Sequence, residues 1–184
     1  MNDKKIFLIT APSGTGKTTV AQKLQKLGLW NECISHTSRP MRDGEIDGVT
    51  YYFKDKSEMH DMIENEEFAE YVTYDGHKYG ITHKEIERVM TKGKHVFIIV
   101  EHDGYRQVKA LYPDAVGIFL YMSKEDCLAN MLLRGDNLER AMKRISTYDE
   151  EMKNRDKYDY VLKNVRGKIH ELESMLHAIV RSYN

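Results

Sequence analysis

Thr10 to Thr19, read as TAPSGTGKTT, decides how the rest of this chain is understood. A glycine-rich turn opens there directly onto a lysine and two threonines. Such a run wraps a polyphosphate in backbone N–H groups and brings an ammonium to it. Ile6-Phe7-Leu8-Ile9 stands just ahead as an apolar strand, and Val20, Leu24 and Leu27 follow at helical spacing. Strand, glycine turn and helix, in that order, form the context a P-loop requires. Gly14 and Gly16 supply the turn and the close backbone approach, Lys17 the phosphate cation, and Thr18 a hydroxyl for magnesium. Ser13, Thr15 and Thr19 complete the cradle, and the free N–H groups of the helix N-terminus add an anion site. The full spacing G-x-x-x-x-G-K-[ST] asks for glycine where Ala11 stands. A flexible surface turn carrying a solvated lysine is the plain alternative; the flanking strand and helix argue against it.

Size and composition frame what this loop belongs to. At 184 residues the chain fits one compact domain with small inserted lobes. With 31% charged residues and a net charge of −1, it shows no bulk attraction for nucleic acid or membrane, so neither is expected as a partner. The opening MNDKKIFLIT meets glycines and a lysine too soon for a signal peptide, and no apolar run approaches the roughly 20 residues that span a bilayer. Cys33 and Cys127 lack metal-ligand spacing and suit a reducing compartment, so a cytoplasmic protein is expected. Monomer and homodimer both remain open.

Outward from the P-loop, Val96 to Val100 and Ala115 to Met122 are near-continuously apolar, as strands covered on both faces are. Tyr160-Val161-Leu162 is a shorter fourth strand. Helical patterns run over Lys84 to Thr91 after a Thr82 cap, Lys124 to Leu133 after Ser123, Met142 to Met152, and Lys168 to Val180. This alternation predicts an α/β fold with a parallel sheet and ligands at the carboxyl ends of its strands. Ser38 to Gly80 breaks the rhythm. It offers a turn-rich RPMRDGEIDG, a strand over Val49 to Phe53, a helix over Lys56 to Asn65, a strand over Phe68 to Tyr74, and an Asp75-Gly76 turn. An inserted antiparallel lobe at the mouth of the sheet explains it better than a crossover helix. Arg134 to Arg144 reads as a mobile cover.

Both excursions carry cations. Arg39 and Arg42 flank Pro40-Met41, and Tyr51 and Tyr79 are phenols near turns. Two guanidiniums held close by a proline each grip phosphate through a planar fork, and the phenols donate to the same oxygens. The lobe therefore reads as a second anion site facing the first; a solvated turn charge is the plainer account of either arginine alone. Arg134, Arg140 and Arg144 ride the cover. Phosphoryl transfer needs cations that follow negative charge onto the equatorial and bridging oxygens, and a closing cover supplies them while expelling water. Simple solvation of a surface helix competes with that reading. Glu101 ends an apolar strand, where a charge is costly unless it binds something. A carboxylate near a purine accepts from guanine N1–H and the 2-amino group together, which adenine cannot offer. Glu70 fits that role best, against a salt bridge to a lobe arginine.

At these residues the sequence resembles the guanylate kinase family, from roughly Lys5 to Val180. The resemblance rests on APSGTGKTT, SHTSRPMRDGEIDGVTYYF, NEEFAEYVTYDGHKYG and EHDGYRQVK in that order. It implies a P-loop kinase core with a parallel sheet (1–37, 81–130, 151–184), an inserted mixed-sheet nucleoside-monophosphate lobe (38–80) and a short helical lid (131–150). It implies direct transfer of the ATP γ-phosphoryl to GMP or dGMP, giving ADP and GDP, with Mg2+. Lys17 and Thr18 would hold the ATP phosphates and magnesium. Ser35, Glu70 and Glu101 would take the guanine positions, and Arg39, Arg42, Tyr51 and Tyr79 the GMP phosphate. Arg134 and Arg144, with Arg42, would stabilise the transferring phosphoryl, and Asn164 would close against the adenine or ribose.

Several positions depart from the family pattern. Ile81 stands where a serine or threonine bonds the guanine, and Ile99 where a strand-end acid lies beside the magnesium. Glu101 replaces an aspartate, His102-Asp103 replaces the residues before Gly104, and Met131 takes the place of a first lid arginine. Each lost polar contact would cost about 1–3 kcal/mol if its partner stayed buried and unsatisfied. These departures motivate a second reading, a kinase of this fold with another nucleotide or a ribosyl phosphate as acceptor. A third is an interaction module without turnover, against which the retained Lys17, Gly14 and Gly16 speak.

Overall fold

The structure, a computed structural model, describes residues 4–26, 28, 30–74, 76–93 and 95–183, without the side chains of Thr18, Leu24 and Trp30. Leu27 and Asp75, named above, lie outside the described residues. β1 (Ile6–Thr10), β2 (Trp30–Glu32), β7 (His95–Ile99), β8 (Val116–Tyr121) and β9 (Tyr160–Lys163) form an all-parallel sheet in the order β2-β7-β1-β8-β9. Every residue of β1 is buried, which is why its side chains are apolar until Thr10. The two-residue period of a strand divides these side chains between two cores. Ile6, Leu8, Val96, Ile98 and Phe119 face Ile86 and Val89 of α3 (His83–Met90) and Tyr105 and Val108 of α4 (His102–Leu111). Phe7, Ile9, Phe97, Ile118 and Leu120 face Val20 and Ala21 of α1 (Lys17–Lys26) and Leu172, Leu176 and Val180 of α8 (Ile169–Arg181). Each such side chain, fully buried, contributes about 1.5–3 kcal/mol. The result is the α/β core the alternation predicts.

The second sheet is mixed: β4 (Tyr52–Phe53), β3 (His36–Thr37), β6 (His77–Thr82) and β5 (Phe68–Tyr74) lie in that order. β3 pairs parallel with β4, and the other pairings are antiparallel. α2 (Lys56–Glu64) starts at a capping box between Asp55 and Glu58. The strand expected over 49–53 contracts to two residues, because the N–H groups of Val49 and Thr50 turn back onto the Ile46 carbonyl at 3.1 and 2.9 Å. The sheet also begins before residue 38 and runs past residue 80, to Thr82, whose side chain caps α3 by accepting from the Glu85 N–H. β2 was not anticipated: Trp30-Asn31-Glu32 shows little apolar pattern, and an edge strand needs less.

α5 (Lys124–Leu133) starts at Ser123 as expected. The helix predicted over 142–152 is instead two, α6 (Leu138–Ile145) and α7 (Tyr148–Lys153). The Ser146 and Thr147 hydroxyls donate to the Lys143 and Arg144 carbonyls at 2.7 and 3.0 Å, the local competition by which such residues end helices. Met122, Cys127, Met131, Ala141 and Ile145 form a small core beneath α5 and α6. Among the described residues, no helix is long and apolar enough to cross a membrane.

Candidate active site

The loop between β1 and α1 is shaped by backbone that only glycine adopts without strain. Gly14 and Gly16 have φ of 84° and 93°, and a Cβ on Gly14 would lie 2.3 Å from the Cys127 carbonyl oxygen. Two side-chain amides hold the loop from outside. Asn130 Nδ2 donates to the Gly14 carbonyl at 2.9 Å, and Asn164 Nδ2 to the Thr15 carbonyl at 2.7 Å. With those carbonyls tied down and the Thr15 N–H turned back onto the Pro12 carbonyl at 3.3 Å, the N–H groups that follow it are turned toward an anion. Ala11, where the consensus has glycine, is buried among Ile9, Val20 and Leu120, so packing rather than conformation governs that position. Asn164 itself is only 5% exposed and lies under the loop. Its side-chain amide steadies the loop there. Asn130 was missed because nothing local marks it; its partner is 116 residues away. Ser13 is half-buried, Thr15 buried against Cys127 Sγ at 3.6 Å, and Thr19 exposed. Thr18 sits in the first turn of α1.

Lys17 Nζ donates to the Ala11 carbonyl and lies 3.5 Å from Glu101 Oε1. Glu101 precedes α4, makes no side-chain cap bond there, and remains 54% exposed. The carboxylate is thus held at the carboxyl edge of the sheet and open to a ligand.

Glu70 lies one step further along. A bulge between Phe68 and Glu70 turns it inward, opposite Ile81, and it is 5% exposed. Its Oε2 is 2.6 Å from where a Gly104 Cβ would be, so the carboxyl reaches the first turn of α4 only because that residue is glycine. Burial pushes its pKa up to about 8; a bond to the Ile81 backbone opposes this and the Glu101 charge adds to it. Ile81 is fully enclosed in the main core, and the neighbouring Thr82 hydroxyl is engaged as a helix cap. Gln107 of α4 bonds both the N–H and the carbonyl of Tyr71 at 3.0 and 3.1 Å, fastening β5 to the helix.

On the second sheet, Arg39 is 8% exposed and faces the rings of Tyr51 and Phe53 at 5.5 and 5.8 Å. Its Nη2 and Nη1 donate to the two Glu45 oxygens at 2.6 and 3.0 Å, and Nη1 also reaches the Pro40 carbonyl. Its bond to Glu45, with a further one donated to the Tyr79 phenol oxygen, raises the Arg39 pKa. Tyr51 and Tyr79 meet edge to face at 6.0 Å, and burial raises the Tyr51 phenol, which stays a donor. The Arg42 side chain is exposed, while its backbone N–H donates to Glu45 at 2.7 Å. Ser35, half-buried, accepts the Tyr52 N–H through its carbonyl at 2.9 Å. Glu45 was not foreseen as the partner of Arg39, although its place six residues on, across a tight turn, marks it.

Glu85 joins the two sheets: it accepts from the Ile34 N–H at 2.8 Å and twice from Arg88 at 2.7 Å. On the other side, Arg134 and Arg144 both converge on Asp136. Arg144 also lies over the Tyr74 ring at 5.8 Å, so the last turn of α6 touches β5. Arg140 adds its charge to Asp136. Met131 is enclosed beneath this turn and takes no part in the charged cluster. Glu151 of α7 was not singled out in the sequence; burial raises its carboxyl, and the charges of Glu101, Lys17 and Arg144 all bear on it. Donor loop, buried carboxyl and arginine turn therefore share one electrostatic neighbourhood.

The sequence model of the family described as guanylate kinase matches residues 3–180. A guanylate kinase of Thermus thermophilus is 37% identical over 162 residues, covering 87% of this chain and 74% of the relative. One from Carboxydothermus hydrogenoformans is 36% identical over 184 residues, covering 97% and 90%. The crystal structure of guanylate kinase from Anaplasma phagocytophilum superposes with a TM-score of 0.77 at 27% identity, covering 99% of this chain and 87% of that one.

Proposed function

The chain belongs to the guanylate kinase family, and from that premise we propose how its own residues carry out the transfer of the ATP γ-phosphoryl to GMP. The products are ADP and GDP. No covalent intermediate is needed, because the acceptor phosphate oxygen is already nucleophilic; the protein positions two anions and offsets their repulsion. The division of labour we propose is a core (1–37, 81–130, 151–184), an acceptor lobe (38–80) and a lid (131–150).

The observation that carries this reading is the contact of Lys17 with Glu101, whose charge in turn bears on the buried Glu70. Glu101 thus stands between the cation we assign to the phosphates and the buried carboxyl we assign to the base, and its charge reaches both. Loop N–H groups from Ser13 to Thr19 and Lys17 bind the ATP phosphates. Glu70 accepts from guanine, with Ser35 and Glu101 beside it. Arg39, Arg42, Tyr51 and Tyr79 face the GMP phosphate, and Arg134 and Arg144 follow the charge on the transferring group. The donor set fits Mg2+: the Thr18 hydroxyl with phosphate oxygens, and Glu101 for its waters, suit a hard cation that keeps several waters. Bound there, the ion would neutralise charge on the β- and γ-phosphates. A cytoplasmic setting, nucleotides as the only partners, and a monomer or homodimer complete the proposal.

Lys17→Ala tests it. Coupled ADP formation with GMP is expected to fall by several orders of magnitude, about 10³-fold or more, and unchanged turnover would sink the assignment. A panel of GMP, dGMP, AMP, UMP and CMP with the unaltered protein checks the acceptor. The buried Glu70 disfavours a base-blind acceptor such as a ribosyl phosphate.

A further inference from the structure

Asp136 occupies the point on which the lid cations converge. Its Oδ1 and Oδ2 accept from Nε and Nη2 of Arg134 at 3.2 and 2.5 Å, and Oδ2 also accepts from Nη1 of Arg144 at 3.5 Å. The carboxylate is only 18% exposed, and the bonds from Arg134 hold its pKa below the usual range against the effect of burial.

The chain fixes that carboxylate through its backbone. The Gly135 N–H donates to the Leu132 carbonyl at 3.0 Å and the Asp136 N–H to the Met131 carbonyl at 3.1 Å, with Gly135 at φ 96°. That pair of bonds is a Schellman turn closing α5. Met131, which anchors it, is fully enclosed beneath the lid. So the anion is the rigid member of the cluster, and two long, flexible guanidiniums have gathered on it.

They are not held equally. Arg134 presents a two-bonded fork and is matched by the carboxylate. Arg144 gives one long contact, and its Nε is buried with no partner. That unsatisfied donor belongs to a guanidinium already placed over Tyr74 of the acceptor lobe.

We propose that Asp136 is a positioning residue for phosphoryl transfer. It is a built-in anion that gathers Arg134 and Arg144 at one point in the empty enzyme, keeps Arg134 throughout, and yields Arg144 to the transferring group. This rests on the assignment of Arg144 to that group made above.

Asp136→Asn, Arg144→Ala and the double variant test it, each measured for kcat, for both KM values and for ATP affinity by calorimetry without GMP. Asp136→Asn preserves shape and removes the charge. Loss of alignment lowers kcat roughly 10–100-fold, while ATP binds as tightly as before or more tightly, since a competing anion is gone. In the Arg144→Ala background the same change lowers kcat by a smaller factor than in the unaltered enzyme, because one of the two arginines it positions is absent. Full multiplication of the two losses overturns the proposal. So does an Asp136→Asn enzyme whose kcat is unchanged, including one that merely melts at lower temperature. Undiminished kcat in Arg144→Ala alone is a different failure: it removes the arginine assignment itself, whatever Asp136→Asn does.

Discussion

GMP affinity should rise with pH across neutrality, because Glu70 is protonated in the empty site. Burial lifts its pKa to about 8, and the Glu101 charge adds to that. Guanine presents two donors, N1–H and the 2-amino group, to whatever reads that edge. A protonated carboxyl would meet them with a third donor, so productive binding takes the ionised form. The sign follows: below about 8 the empty enzyme holds a proton that GMP must expel, so affinity falls as pH falls. At pH 7 about one site in eleven is ionised, a penalty of about 1.4 kcal/mol, or roughly tenfold in affinity. Between pH 6.5 and 8.5 the GMP KM should drop roughly 25-fold, most of it above the range in which the GMP phosphate itself titrates near 6. Calorimetry in buffers of different ionisation enthalpy reads the proton directly, at about 0.9 released per GMP at pH 7. Glu70→Gln should bind weakly with no slope above pH 7. A GMP KM varying less than threefold over the range refutes the reasoning, as does an equal slope in Glu70→Gln.

Gly104→Ala separates recognition from stability. The new Cβ would sit 2.6 Å from Glu70 Oε2, the far end of a side chain that can swing aside, and 3.2 Å from Val100 Cβ, which needs to give only a few tenths of an ångström. The GMP KM should therefore rise roughly tenfold, the loss of about one good hydrogen bond, with ATP affinity and Tm little changed. Glu66→Gly should stabilise: Glu66 has φ 54°, and relief of left-handed strain exceeds the extra freedom glycine gains when unfolded. The net of about 0.5 kcal/mol corresponds to roughly 1–2 °C in Tm by calorimetry.

What the sequence disclosed was whatever local chemistry encodes. Three of the parallel strands are runs of apolar residues because both faces are covered, and a run such as Ile6 to Ile9 admits few other readings. The P-loop was legible because glycine, lysine and threonine each have one purpose at that spacing. β2 was not, since Trp30-Asn31-Glu32 becomes a strand by pairing with His95 to Phe97, a decision made elsewhere in the chain. The break at Ser146-Thr147 escaped because the apolar period runs straight through it. Glu70 was found from its neighbours in sequence, yet its inward turn depends on a bulge and on Gly104, 34 residues later, and neither is a local signal. The carboxylates Glu45 and Asp136 were passed over for a different reason. Acids near arginines are common on solvated turns, and only burial distinguishes these two.

Those carboxylates give the site a common logic. Cations assigned to phosphate already have anions: Lys17 has Glu101, Arg39 has Glu45, and Arg134 and Arg144 have Asp136. Substrate binding is then an exchange of anions, and geometry decides which cations can exchange. The carboxylate contacts of Lys17 and Arg144 are each one bond 3.5 Å long, to oxygens a phosphate bearing more charge displaces readily, and Lys17 keeps its bond to the Ala11 carbonyl besides. Arg39 differs, with bonds of 2.6 and 3.0 Å between side chains 9% and 16% exposed. Breaking a buried pair of that kind costs about 3–5 kcal/mol, much of what one phosphate contact returns. On the proposed assignment Arg39 would keep Glu45 and meet the acceptor phosphate with the remainder of its guanidinium, and the exposed Arg42 would swing in beside it. On that assignment Lys17 and Arg144 are built to let go, and Arg134 and Arg39 are built to stay.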